Sequence, residues 1–201
     1  MTTNNELSKA IVSILTTNVP VILTNDLRKG LDHLNIHTGS FNRSLTRLKR
    51  MGLVTTFVAN LPRLTGWKIP LTQAAMSDAM ITKVMTVSRA CTNKPGEPTQ
   101  FVMASPRLAG LFGNRTLKLA DMEVLIRYLR IGKAFADPAI FSQRSEWRTA
   151  PQHKNKKVVV ARWTDPSKRP LFFIAPPPMT RNETIALLQT LATTEGQNVV
   201  C

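Results

Sequence analysis

Residues 38–59, TGSFNRSLTRLKRMGLVTTFVA, decide the fold. Phe41, Leu45, Leu48 and Met51 recur at i, i+4, i+7 and i+10, the spacing of one helix face, so a helix over 40–51 is predicted. Gly52 supplies the left-handed residue that ends it. With about 100° per residue and Phe41 set inward, the outward face collects Gly39, Arg43, Thr46, Arg47 and Arg50, with Asn42 and Lys49 on one flank. From Thr38 to Gln73 the basic residues are Arg43, Arg47, Lys49, Arg50, Arg63 and Lys68, and acidic residues are absent. An ordinary solvated face mixes signs to gain i, i+4 pairs, so a face this one-sided calls for an anionic partner.

Working outward, a shorter helix precedes this one. Thr24 is expected to cap it, Asp26 to face the positive end of its dipole, and Leu27, Leu31 and Leu34 to share one side, with the end near Asn35. Earlier still, Leu7, Ile11, Ile14 and Leu15 mark an amphipathic helix that Pro20 separates from the pair, completing a three-helix core. On the other side, Leu53 to Ala59 alternates and is rich in Val, Thr and Phe. Asn60 to Gly66 has turn composition, and Trp67 to Leu71 is expected to return as the partner strand.

In the stretches SLTRLKRMGLV (44–54) and GWKIPLT (66–72) the chain resembles the winged helix-turn-helix superfamily of bacterial regulators. The resemblance covers the first third of the chain. It implies a recognition helix at 40–51 lying in the major groove of double-stranded DNA, and a wing at 53–71. Arg43 and Arg47 are then the candidates for guanine edges, where each good bidentate pair contributes about 1–3 kcal/mol of discrimination, and Asn42 the candidate for adenine. Ser40, Thr46, Lys49 and Arg50 are placed for phosphates, and Arg63, near the wing tip, for the minor groove or a flanking phosphate. Trp67 is read as core packing.

The chain has 201 residues and 43% apolar composition, enough for a core, and 27 Lys plus Arg against 12 Asp plus Glu give a net charge of +15. That excess favours nucleic acid over a small neutral substrate. Both parts contribute: nine cations stand against three anions in 1–75, and eighteen against nine in 76–201. No window approaches the roughly 18 apolar residues of a spanning helix, and the N-terminal apolar run lacks a basic leader. Cys91 and Cys201 provide neither a disulfide framework nor zinc spacing, which fits a reducing cytoplasm.

Beyond residue 75 the sequence predicts a helix at 74–90 on Met76, Met80, Val84 and Val87, either a linker or dimerisation helix or one packed on its own domain. A linker at 91–99 (NKPG and Pro98), a short helix at 104–112 and a longer one at 119–135 follow, the last on Met122, Leu125, Ile126, Leu129 and Lys133. Asp137-Pro138 restarts a helix, 157–163 and 171–175 form a hairpin, and 181–193 is a final helix. The expected architecture is α+β: a winged helix-turn-helix domain at 1–75, helix and linker at 76–99, and a basic α+β domain at 100–201, read alternatively as a degenerate second winged module.

Arg144, Arg148, Lys154, Lys156, Lys157, Arg162, Lys168 and Arg169, interrupted by Glu146 and Asp165, form a second basic region. It suits phosphates or an acidic protein partner such as a polymerase subunit. Catalysis finds little support. His33 and His37 lack a third ligand, Asp121 and Glu123 point to different helix faces, and Asp137, Glu146 and Lys168 do not make a Mg²⁺ site. No phosphate-cradling glycine loop is present, and no cofactor is expected. The sequence therefore points to a non-enzymatic, sequence-specific regulator of transcription, phage- or plasmid-borne or bacterial, with double-stranded DNA as its partner and RNA polymerase and a second copy as further candidates. The alternatives are a replication or partition initiator with two DNA-binding modules, and a basic interaction protein gripping an acidic partner.

Overall fold

Leu7 and Ile11, one helical turn apart and both fully buried, turn the first helix, α1 (Asn4–Ser13), onto the core. A computed structural model gives the structure and describes residues 4–32, 37–61, 69–71, 77–89, 96–113, 122–149, 159–164, 170–192 and 197–200. After α1 the chain makes a π-helical turn, Ile14–Asn18, closed by the Val19 amide donating to the Ile14 carbonyl at 3.0 Å. There follow β1 (Val21–Leu23), α2 (Thr24–Leu31), α3 (Thr38–Arg50), β2 (Val54–Leu61), β3 (Ile69–Leu71), α4 (Asp78–Arg89) and β4 (Glu97–Ala104). The remainder is α5 (Pro106–Leu111), α6 (Met122–Phe135), α7 (Pro138–Ser142), β5 (Trp147–Thr149), β6 (Val159–Thr164), β7 (Pro170–Ala175), α8 (Arg181–Ala192) and β8 (Gln197–Val200). The fold is mixed α+β.

Two sheets organise it. The first has the order β1-β4-β2, all antiparallel, with β2 and β4 paired along eight residues from Val54 opposite Ala104 to Leu61 opposite Glu97. Phe57 and Phe101, directly opposite, stack with ring centroids 5.7 Å apart. The second sheet has the order β3-β8-β7-β6-β5, with β7 and β8 parallel across α8. On β6, Val159, Ala161 and Trp163 are buried while Arg162 is exposed, the period-2 alternation of a sheet with one face on the core.

These pairings correct the expected wing. The strand opposite β2 is β4, not residues 67–71, and Ile69–Leu71 instead joins β8 in the second sheet. β4 offers β2 eight register pairs where 69–71 has three residues to offer, so the longer ladder satisfies more backbone hydrogen-bonding groups. The same pairing crosses the boundary expected between residues 75 and 100. The second sheet draws β3 from the first part of the chain beside four strands of the second part, and its β7 and β8 run parallel. One apolar core runs from Leu7 and Ile11 through Phe101 and Leu129 to Trp147 and Val199.

Aromatic contacts tie the layers together. Trp147 lies 5.4 Å from Phe135 and 5.0 Å from Phe173, and Phe135 lies 5.1 Å from Phe141. Asn18, buried at the end of the π-helical turn, donates to the carbonyls of Arg144 (2.7 Å) and Trp147 (3.2 Å), while Thr149 donates back to the Asn18 carbonyl. Gly30 lets α2 close on α7, because a Cβ there would stand 2.3 Å from the Phe141 ring. A second cluster, Ile81, Val84 and Val87 with Met179, Leu188 and Val200, packs α4 against α8 of its own chain, and Arg181 pairs with Asp78 at 2.5 Å.

Several local expectations meet the structure unevenly. Leu23, not Thr24, is the cap residue of α2, and no side chain caps it. Asp26 stands in the first turn of α2 as expected, and it is buried there and also accepts from Lys133 Nζ at 3.0 Å. The helix ends at Leu31, and Leu34 and Asn35 lie outside the described residues. Met51 and Met122 are exposed rather than buried. Glu97–Thr99, expected as linker, is already strand. The short helix expected at 104–112 is present as α5, and the helix start at Asp137-Pro138 and the hairpin of β6 and β7 appear as the sequence predicts.

Candidate nucleic-acid interface

The helix α3 is built as its apolar period dictates. Phe41, Ser44, Leu45 and Leu48 are buried, and α1 packs against this side, with the Ser44 hydroxyl donating to the Asn4 carbonyl at 3.3 Å. The opposite side holds Asn42, Arg43, Thr46, Arg47, Lys49 and Arg50, all exposed, with Ser40 half-buried. Helical periodicity alone was enough to separate the two sides.

The C-terminal end of α3 is fixed by backbone geometry. Gly52 adopts φ +68°, its amide donates to the Lys49 carbonyl at 2.9 Å, and the Leu53 amide donates to the Leu48 carbonyl at 3.0 Å. This is the paired bonding of a Schellman stop, which ends the helix and turns the chain directly into β2. A second device was not visible from local spacing. The Ser105 hydroxyl donates to the Gly52 carbonyl at 2.7 Å and accepts from the Leu108 amide at 3.1 Å, so it caps α5 and anchors the end of α3 together. Arg107 adds a bond to the Met51 carbonyl at 3.1 Å, where a cation also complements the negative end of the α3 dipole. The pitch of α3 on the sheet is thereby set from both sides of the helix stop.

The exposed side of α3 meets no carboxylate among the described residues. Ion pairs seen among them include Arg127 with Glu123, Lys133 with Asp26, and Arg181 with Asp78. None involves α3. Arg43 folds back along its own first turn, Nε donating to the Gly39 carbonyl at 3.2 Å and the guanidinium reaching the Ser40 hydroxyl at 3.4 Å. Arg47, Lys49 and Arg50 make no side-chain hydrogen bond or ion pair with any described residue. Four guanidinium or ammonium groups on one helix side, none paired with a carboxylate among the described residues, make a strip of positive potential that a polyanion can follow.

The second basic region is only partly described. Arg63, Lys68, Lys154, Lys156, Lys157, Lys168 and Arg169 lie outside the described residues, as do Trp67 and His33. Arg148 on β5 and Arg162 on β6 are register partners, and both are exposed. Like charges directly opposite on neighbouring strands destabilise a sheet. Arg148 is held by bonds to the carbonyls of Ser145 (2.7 Å) and Trp147 (2.8 Å), and Arg144 lies 5.6 Å from the centroid of the Phe141 ring.

The described carboxylates have separate places in the fold. Asp137 accepts from the Ala139 amide as the cap of α7, Glu123 stands on α6 beside Arg127, and no group of three candidate ligands occurs among the described residues. No helix among them is long and apolar enough to cross a membrane. Comparison with protein-family models, with curated proteins and with solved structures finds no match to this chain.

Proposed function

We propose that this chain is a sequence-specific double-stranded DNA-binding protein that regulates transcription, built on a winged helix-turn-helix whose recognition helix is α3. The observation that carries the reading is the exposed side of α3, where Arg43, Arg47, Lys49 and Arg50 meet no carboxylate among the described residues. The order of elements supports it: three helices lead into the long antiparallel pair β2 and β4, whose ribbon takes the place of the wing expected at 53–71. The segment between Leu61 and Glu97, which includes β3 and α4, is then an insertion in that wing.

In this reading α3 lies in the major groove, as the second helix of a helix-turn-helix does. Arg47, with no partner of its own among the described residues, presents its guanidinium to guanine O6 and N7, and Arg43 joins it by exchanging the Gly39 carbonyl for a base edge. Thr46, Lys49, Arg50 and Ser40 hold phosphates and fix the register, and Asn42 faces adenine. Arg148 and Arg162 offer a further phosphate contact that would relieve their mutual repulsion.

Selection from random duplexes followed by gel-shift titration tests the proposal. Arg47→Ala is expected to lower the preference for the selected site over random duplex by about 1–3 kcal/mol, roughly 5- to 150-fold. Equal losses on both duplexes would reduce Arg47 to a phosphate contact, and failure of any sequence to enrich would remove the specific reading.

A further inference from the structure

Between α1 and α3 lies an open cleft of about 360 Å³, beside the proposed DNA-contacting side chains. Its lining is mostly hydrocarbon, from Val12, Met51, Leu53 and Phe112, and its charged groups are Lys9 and Arg47. No carboxylate lines it. Met51 and Phe112 are 48% and 57% exposed, so their apolar surfaces stay in water while the cleft is empty. The π-helical turn that follows α1 adds the Thr16 and Thr17 hydroxyls. Such turns occur often at functional sites.

A concave, mainly apolar cleft with a few convergent polar groups is the general form of a small-molecule site, and this one lies at the lower end of the usual size range. Two cations and no anion select the sign of the ligand. The geometry points to a small organic anion, a carboxylate carried on an aromatic or aliphatic body, as the occupant. The carboxylate would meet Lys9 and Arg47 in charge-assisted hydrogen bonds while the body covers Met51 and Phe112. A ligand so bound takes Arg47 away from the base edge, so ligand and DNA exclude each other. By linkage each weakens the other's binding by the same factor. The binding of the anion stands on the cleft alone, whereas the competition rests on α3 being the DNA-contacting helix.

Isothermal titration of the full chain with 1-naphthoate, and with the neutral 1-naphthalenemethanol, tests the site. Naphthoate is expected to bind with one-to-one stoichiometry, and the alcohol about tenfold more weakly or worse. Lys9→Gln should weaken naphthoate toward the alcohol. Ser13→Phe, and independently Thr17→Phe, place a ring in the cleft from exposed rim positions and should abolish the heat of binding with the circular dichroism spectrum unchanged. Absence of binding by the parent chain, equal binding of acid and alcohol, or naphthoate binding unaltered in both filled variants would overturn the proposal. The competition has its own readout: saturating naphthoate should weaken duplex binding by the parent and leave Ser13→Phe unaffected. Binding of naphthoate by a chain that ignores DNA would keep the site and remove the reading of α3. Simultaneous binding of naphthoate and duplex without mutual weakening would overturn the competition.

Discussion

Removing Lys49 and Arg50 together has a calculable effect on the salt dependence of DNA binding. Both side chains are exposed at the C-terminal end of α3, both lack a partner among the described residues, and both are assigned to phosphates. Each phosphate neutralised contributes about 0.9 to the negative slope of log Kobs against log salt, so the K49A/R50A variant should show a slope shallower by about 1.8. Over a fourfold rise in salt, the parent then loses about twelvefold more affinity than the variant. The loss should be the same on selected and on random duplex, because phosphate contacts carry no sequence information. Fluorescence anisotropy with a labelled duplex at four or five salt concentrations measures the slope directly. Alanine at two exposed helical positions leaves stability within about 1 kcal/mol of the parent, so a change in slope cannot be charged to unfolding. Parallel lines for parent and variant would refute the assignment of these two cations to the DNA backbone.

Two other perturbations test parts of the same account. Lys133→Met removes the partner of the buried Asp26 and should destabilise the fold by about 1–3 kcal/mol in urea denaturation, with Asp26→Asn in the same chain recovering part of it; an unchanged midpoint would mean that the pair does not tie α2 to α6. Arg148→Gln with Arg162→Gln removes a like-charge pair across β5 and β6, so stability should rise by a few tenths of a kcal/mol while the salt slope of DNA binding becomes shallower; a slope that does not move would take this sheet face out of the interface.

The helix that carries the candidate site was legible because its determinants are local. Phe41, Leu45 and Leu48 define the buried side by period, Gly52 defines the stop, and exposure of Arg43, Arg47 and Arg50 follows from the same geometry. Strand partnership was not legible in the same way. Alternation in 54–61 states that β2 has one covered face, but the ribbon's other strand lies past Leu61 by an insertion of unlike structure, and nothing in the local pattern distinguishes 97–104 from 67–71 as its partner. The three-residue strands β1, β3 and β5 are too short for a period to emerge, and they exist because a neighbouring strand accepts their hydrogen bonds. Asp26 shows the same limit at the level of one side chain. Its place in the first turn of α2 was legible, but its burial and its partner Lys133, supplied by a helix 107 positions away, were not. The short helix at 104–112 was legible, whereas the bond of its cap Ser105 to Gly52 depends on the sheet that brings β4 beside the end of α3.

Methylation interference reads the groove itself, since dimethyl sulfate marks guanine N7 in the major groove and adenine N3 in the minor groove. With the duplex recovered by selection, methylation of guanine N7 within the site should block binding by the parent chain, and Arg47→Ala should become insensitive to at least one of those guanines. Interference confined to adenine N3, or an unchanged guanine pattern in Arg47→Ala, would contradict a recognition role for α3.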